Sequence, residues 1–113
     1  MISESDIVHR VLLGFVQIHV LHHAAEGPVY GKWLMAELER HGYRLGPGTL
    51  YPLLRQLAES GYLVREERVV GGRVRKYYRA TAEGRAVLEL ARARIQELAG
   101  ELLGEANAGH REA

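Results

Sequence analysis

Arg73, Arg75 and Lys76 stand directly after a Gly71-Gly72 pair, and Thr49, Tyr51 and Arg55 recur at helical spacing earlier in the chain. Both groups have the chemistry to hold a polyanion. Arg and Lys give phosphate charge-assisted donors. A tyrosine hydroxyl reaches phosphate, a threonine bonds either way and offers a methyl to thymine, and an arginine pairs with phosphate or guanine. Gly48 permits close backbone approach, and Pro47 is suited to open a helix whose first N–H groups favour an anion. Lys32 is a further candidate phosphate contact, near the start of another helix.

The charge distribution agrees. The chain has 113 residues and a formal net charge of only +1. Between Leu63 and Arg79, however, Arg65, Arg68, Arg73, Arg75, Lys76 and Arg79 face only Glu66 and Glu67, so the remainder is net negative. A local basic segment on a near-neutral protein points to a directed anion contact.

Other chemistries are poorly served. No cysteine is present, which removes disulfides and thiolate metal ligands. His19 and His23 are i, i+4, a spacing able to chelate, with His22 and Glu26 nearby; the expectation is ordinary polar positions at a helix end and no cofactor, with a metal-sensing regulator as the alternative. His9, His41 and His110 stand alone in the sequence. There is no G-x-S-x-G, H-E-x-x-H, P-loop or dinucleotide fingerprint. Glu66 and Glu67, adjacent in a strand, point to opposite faces and cannot act as a pair. The chain is therefore not expected to be an enzyme.

The elements that must position these residues follow from periodicity. Ser3 with Asp6 fits a capping box opening a first helix to about Ala25, apolar on most sides. A helix from about Tyr30 to His41 buries Leu34, Met35 and Leu38, and Gly42 ends it. A third, from about Pro47 to Ser60, buries Leu50, Leu53, Leu54 and Leu57 and leaves Gly48, Thr49, Tyr51, Pro52, Arg55 and Gln56 outward. Pro52 removes a bond to the Gly48 carbonyl; the penalty of about 3 kcal/mol in a helix interior should be smaller this near the first turn. β-branched and aromatic residues flank Gly71-Gly72, as in a hairpin. Thr81 caps a last helix to about Glu105, whose Leu88, Ala91, Ile95, Leu98 and Leu102 form a heptad seam. The expected fold is mainly α with a β-hairpin: a winged helix-turn-helix with an added C-terminal dimerisation helix.

At this point "EGPVYG", "GPGTLYPLLRQLAESGYL" and "RKYYRATAEGRAVL" resemble the PadR family of bacterial transcriptional regulators, from about Leu12 to Leu90. With one C-terminal helix the chain looks like the smaller subgroup. The resemblance implies a homodimeric winged-helix repressor, with first and last helices building the dimer interface; relief by an effector is a further expectation that follows from the dimer. It implies DNA contacts for Pro47, Gly48, Thr49 and Tyr51, and wing contacts for Arg73, Arg75 and Lys76; Arg55 is added from the helix face. Departures are Gly46 in place of the family's frequent serine, and Tyr30-Gly31-Lys32-Trp33 where His-Gly-Tyr-Glu is common. Trp33 lies off the Leu34/Leu38 face and is expected to have a plain packing role, with a place on the partner subunit or beside an effector pocket as the alternatives. The last helix has no aromatic residue, so the binding of flat aromatic drugs seen in some members is not carried over.

The organisation expected is a DNA-binding domain over 1–80, a dimerisation helix over 81–106 and a frayed tail over 107–113. Val8, Val11, Leu12 and Phe15, with Leu88, Ala91, Ile95, Leu98 and Leu102, are the expected dimer contacts. The expected partners are a pseudo-palindromic double-stranded operator, a second copy of the chain and a small-molecule effector. No secretion signal or membrane span is evident, so a bacterial cytoplasmic location, on the nucleoid when DNA-bound, is expected. A protein-only dimerisation module is the remaining alternative.

Overall fold

The computed structural model describes residues 1–104. The expected last residue of the final helix, Glu105, the expected frayed tail 107–113 and His110 lie outside the described residues. Helix α1 spans Glu4–Glu26, strand β1 Val29–Tyr30, α2 Gly31–Arg40, α3 Pro47–Glu59, β2 Leu63–Val70, β3 Arg73–Ala80 and α4 Ala82–Leu103. The Ser3/Asp6 capping box forms in both directions, 3.1 Å each way. The hydrogen bonds from Ser3 hold the Asp6 carboxyl below its ordinary pKa range.

Apolar residues one helical turn apart meet at a single centre. Val16, Val20, Leu21 and Ala24 of α1 pack with Leu34 and Leu38 of α2, Leu50 and Leu54 of α3, and Leu88 of α4. Val29, Leu63, Tyr78 and Ala80 close the cluster from the sheet. Met35, Leu53 and Leu57 are only partly buried at its margin.

The hairpin forms where expected. β2 and β3 pair antiparallel from Leu63↔Ala80 to Val70↔Arg73. Gly71 and Gly72, at φ +58° and +78°, make the tight turn, a conformation that costs glycine little. The sheet also has a third strand that the sequence did not disclose. β1 pairs with β3 through Val29↔Tyr78 and Tyr30↔Tyr77, giving the order β1-β3-β2. Two residues are too few to carry an alternation, and Pro28 just before them reads as a turn. Because β1 is so short, β3 is a free edge from Arg73 to Lys76 among the described residues.

One joint fixes α4 to the rest. The Thr81 side chain accepts from Gly84 N–H (3.0 Å) and donates to the Gly61 carbonyl (2.6 Å), while Thr81 N–H donates to the Tyr62 carbonyl (3.1 Å). Gly84 is buried against that same Tyr62 carbonyl oxygen, where a Cβ would collide with backbone. Backbone cannot rotate away as a side chain can. Gly84→Ala is thus expected to destabilise the protein by about 1–3 kcal/mol, whereas Arg85→Ala, exposed next to it, should change stability by less than about 0.5 kcal/mol. Urea unfolding checks this, and an undiminished midpoint for Gly84→Ala would contradict the joint.

Candidate nucleic-acid interface

Helix α3 starts as the sequence suggests. Gly46 is its N-cap without a side-chain bond, Pro47 occupies the first turn, and the amides of Thr49 and Leu50 both donate to the Gly46 carbonyl at 3.1 Å. The helix continues through Pro52 to Glu59. Leu50 and Leu54 are fully buried, so the opposite face is turned outward. Pro47, Gly48, Thr49, Tyr51, Pro52, Arg55 and Gln56 are all exposed.

These outward residues divide between two grooves. Thr49, Pro52, Arg55 and Gln56 line a groove of about 440 Å³ against Leu13, Val16 and Gln17 of α1. Tyr51 turns the other way, over Gly31 at the start of α2. A Cβ on Gly31 would strike the Tyr51 ring, so hydrogen at this position is what lets the ring lie there. Tyr51 then lines a second groove, about 450 Å³, whose other walls include Lys32, Arg73, Arg75 and Lys76. The fold brings five of the sequence-predicted contact residues into one cavity, at the free edge of β3.

The wing is stiffened by its aromatic rings. On the sheet face opposite Tyr78, the Arg75 guanidinium lies 4.2 Å from the centre of the Tyr30 ring, and Arg68 lies 4.5 Å from that of Tyr77. The two tyrosines meet edge to face with centroids 5.5 Å apart. Each exposed cation–π contact contributes roughly 0.5–1 kcal/mol. The electrostatics of the basic residues differ. Arg68 and Arg79 share Glu66 at 3.2 and 2.8 Å. Among the described residues, no carboxylate forms an ion pair with Lys32, Arg55, Arg73, Arg75 or Lys76. Cations without acidic partners around a groove are poised for an external anion.

Two contributors escaped the sequence reading. Arg44 lines a groove with Lys32 and Gly46 beside the start of α3; its position just before the Gly46-Pro47 helix start was the available signal. Tyr30, through β1, supports Arg75, and no local pattern announces that.

Trp33 stays 39% exposed, its ring edge-on to His23 at 5.4 Å. His41 is not isolated: its ring stacks on His19 with centroids 5.0 Å apart, because the chain after α2 folds back against α1. His19, His23 and His41 thus form a cluster beside Glu37, and their ring nitrogens, like the ligating atoms of His22, His23 and Glu26, lie within 4.8 Å of one another. Burial, reinforced by His41, His23 and His22, pushes the His19 pKa below its ordinary value. Arg40 donates two bonds to Glu37, at 3.2 and 3.0 Å, and holds that carboxyl below its ordinary range.

The expected dimer residues fall into two groups. Val8, Val11, Leu12 and Phe15 of α1 and Ile95, Leu98 and Leu102 of α4 are exposed. Leu88, counted with them from the heptad seam, is 3% exposed and belongs to the chain's own core. Ala91 is half-buried. The seam changes partner along its length: its first turn packs on α1 of the same chain, and its later turns stay open.

No helix among the described residues is long and apolar enough to cross a membrane. The family model described as "Transcriptional regulator PadR-like family" matches residues 20–90. Transcriptional regulator Rv3488 of Mycobacterium tuberculosis is 57% identical over 89 residues, 79% of this chain and 83% of that protein. A PadR family transcriptional regulator from Eggerthella lenta is 37% identical in sequence, with a TM-score of 0.70 over 89% of this chain and 96% of that one. The fold is also that of Bacillus subtilis PadR, solved in complex with operator DNA, at 18% identity and a TM-score of 0.61 over 66% of this chain and 45% of that one. A winged helix with a basic wing, matched by the family model over most of its length and by a relative with more than half of the aligned residues identical, belongs to the PadR-like family of transcriptional regulators.

Proposed function

We propose that the chain is a homodimeric, sequence-specific DNA-binding repressor whose operator binding is relieved by an effector. The carrying observation is the groove in which Tyr51 of α3 meets Lys32, Arg73, Arg75 and Lys76. The exposed start of α3 enters a major groove, where Thr49 and Arg55 read base edges and Tyr51 holds phosphate. The wing adds sequence-independent, salt-sensitive phosphate binding. The operator complex of the related Bacillus subtilis PadR supports this reading. A protein-only dimerisation module would need the open α4 seam but gives no reason for the basic groove.

Dimerisation rests on the two apolar stripes left uncovered on α1 and α4. A second copy would cover both and fix the distance between two reading helices; on a pseudo-palindrome whose half-sites lie one DNA turn apart, that distance is roughly 34 Å. An effector then biases a pre-existing equilibrium between operator-competent and incompetent dimers.

Binding-site selection from random duplex DNA, with sedimentation at micromolar protein, tests the reading. A pseudo-palindromic consensus and a dimer are expected. A chain that sediments as a monomer, or a selection that enriches no sequence, would refute it.

A further inference from the structure

We infer that the chain carries a metal site for Zn²⁺ or a similar transition ion, built by His19 and His23 of α1 and His41 at the end of α2. One donor atom from each ring lies within 4.8 Å of the other two. Tetrahedral zinc holds its nitrogens at about 2.0–2.1 Å, hence roughly 3.4 Å from one another. The rings must close on the ion, a movement open to side chains that are half-buried (His19, His23) or exposed (His41). Three imidazoles without cysteine form the borderline donor set that suits Zn²⁺, Ni²⁺ or Cu²⁺.

A second observation singles out this cluster. Among the described residues, nothing bonds the buried Nε2 of His23. The Glu37 Oε2 atom is 3.7 Å away, too far to bond it. Ring stacking accounts for the contact of His19 with His41 but does nothing for this nitrogen. A cation among the three rings satisfies it.

A carboxylate bonds one of the rings as outer partners of metal-bound histidines do, and a second stands near another ring, beyond bonding distance. Glu26 Oε1 lies 3.7 Å from His23 Nδ1. Glu37 Oε2 lies 3.2 Å from His41 Nε2. Ionised Glu37 only accepts, so His41 Nε2 donates and its Nδ1 keeps a lone pair. Trp33 and Tyr43 wall the cluster through edge contacts to His23 (5.4 Å) and His19 (5.3 Å). A neighbouring trio, His22, His23 and Glu26, also has ligating atoms close together. It is the weaker set, because His22 Nδ1 already faces the Arg92 guanidinium at 3.1 Å, a cation that opposes a metal. The ion would tie α1 to the end of α2.

The test is a zinc titration of the chelator-treated full chain, competed against a chromophoric chelator, with thermal melting in parallel. One Zn²⁺ per chain and a raised melting temperature are expected. His41→Ala, at an exposed position where folding is little at risk, should lose affinity by more than the roughly 10–100-fold typical of removing an outer partner. His22→Ala and His9→Ala should bind as the parent does. As a check independent of stability, the visible ligand-field absorption of bound Co²⁺ should vanish in His41→Ala while circular dichroism is unchanged. Absence of saturation by about 1 mM zinc, undiminished binding in His41→Ala, or an equal loss in His22→Ala would each overturn the assignment.

Discussion

Replacing Arg75 and Lys76 together by glutamate is expected to abolish operator binding and leave a folded protein. Both side chains line the groove beside Tyr51, and neither forms an ion pair among the described residues; Lys76 loses only its cross-strand neighbour Glu67. The folded-state cost is small. Arg75 forfeits its contact with the Tyr30 ring, worth roughly 0.5–1 kcal/mol, while a glutamate there faces Arg68 across the ladder. A glutamate at Lys76 would face Glu67, a like-charge pair costing about 0.2–1 kcal/mol. DNA binding suffers more, because each subunit exchanges two phosphate-binding cations for two repelled anions. At fixed salt near 0.15 M the loss should exceed about 100-fold, and the slope of log affinity against log salt should flatten by roughly 0.9 for each phosphate contact removed. Fluorescence anisotropy on the selected operator across a salt series measures both. Parental affinity in the double variant would mean that the wing does not touch DNA.

Leu54→Ala should do the reverse, failing first as a fold. Leu54 is fully buried on the inward side of α3. Removing its isopropyl tip leaves a cavity and is expected to cost about 2–5 kcal/mol. Against the 5–15 kcal/mol typical of a whole domain, that is a large share. The melting temperature should fall by more than about 10 °C, followed by circular dichroism at one fixed protein concentration. Gln56→Ala, on the outward face of the same helix, should stay within about 0.5 kcal/mol of the parent. Equal melting of Leu54→Ala and the parent would mean that α3 does not present this face to the core.

Local chemistry made much of this protein legible before any coordinates. The leucines of "GPGTLYPLLRQL" mark the buried side of α3, and the Gly71-Gly72 pair marks the wing turn. Ser3 with Asp6 and Thr81 mark helix starts, because a cap is satisfied within a single turn of chain. Such signals are readable because each depends on neighbours three or four residues away. Other features needed the closed chain. β1 carries no period in two residues, yet it decides that Tyr30 supports Arg75 and that β3 is free from Arg73 to Lys76. The outward set on α3 looks single in sequence but divides, with Tyr51 drawn over Gly31 and Thr49 and Arg55 left toward α1. The α4 seam shows which positions are apolar but not what covers them: Leu88 goes to the chain's own core and Leu98 to the open surface. His41, far from His19 and His23 along the chain, meets them only because α2 and the residues after it fold against α1. Periodicity reports which face of an element is apolar or charged. The partner each face meets is decided by contacts distant in sequence, and these exist only once the tertiary structure has closed.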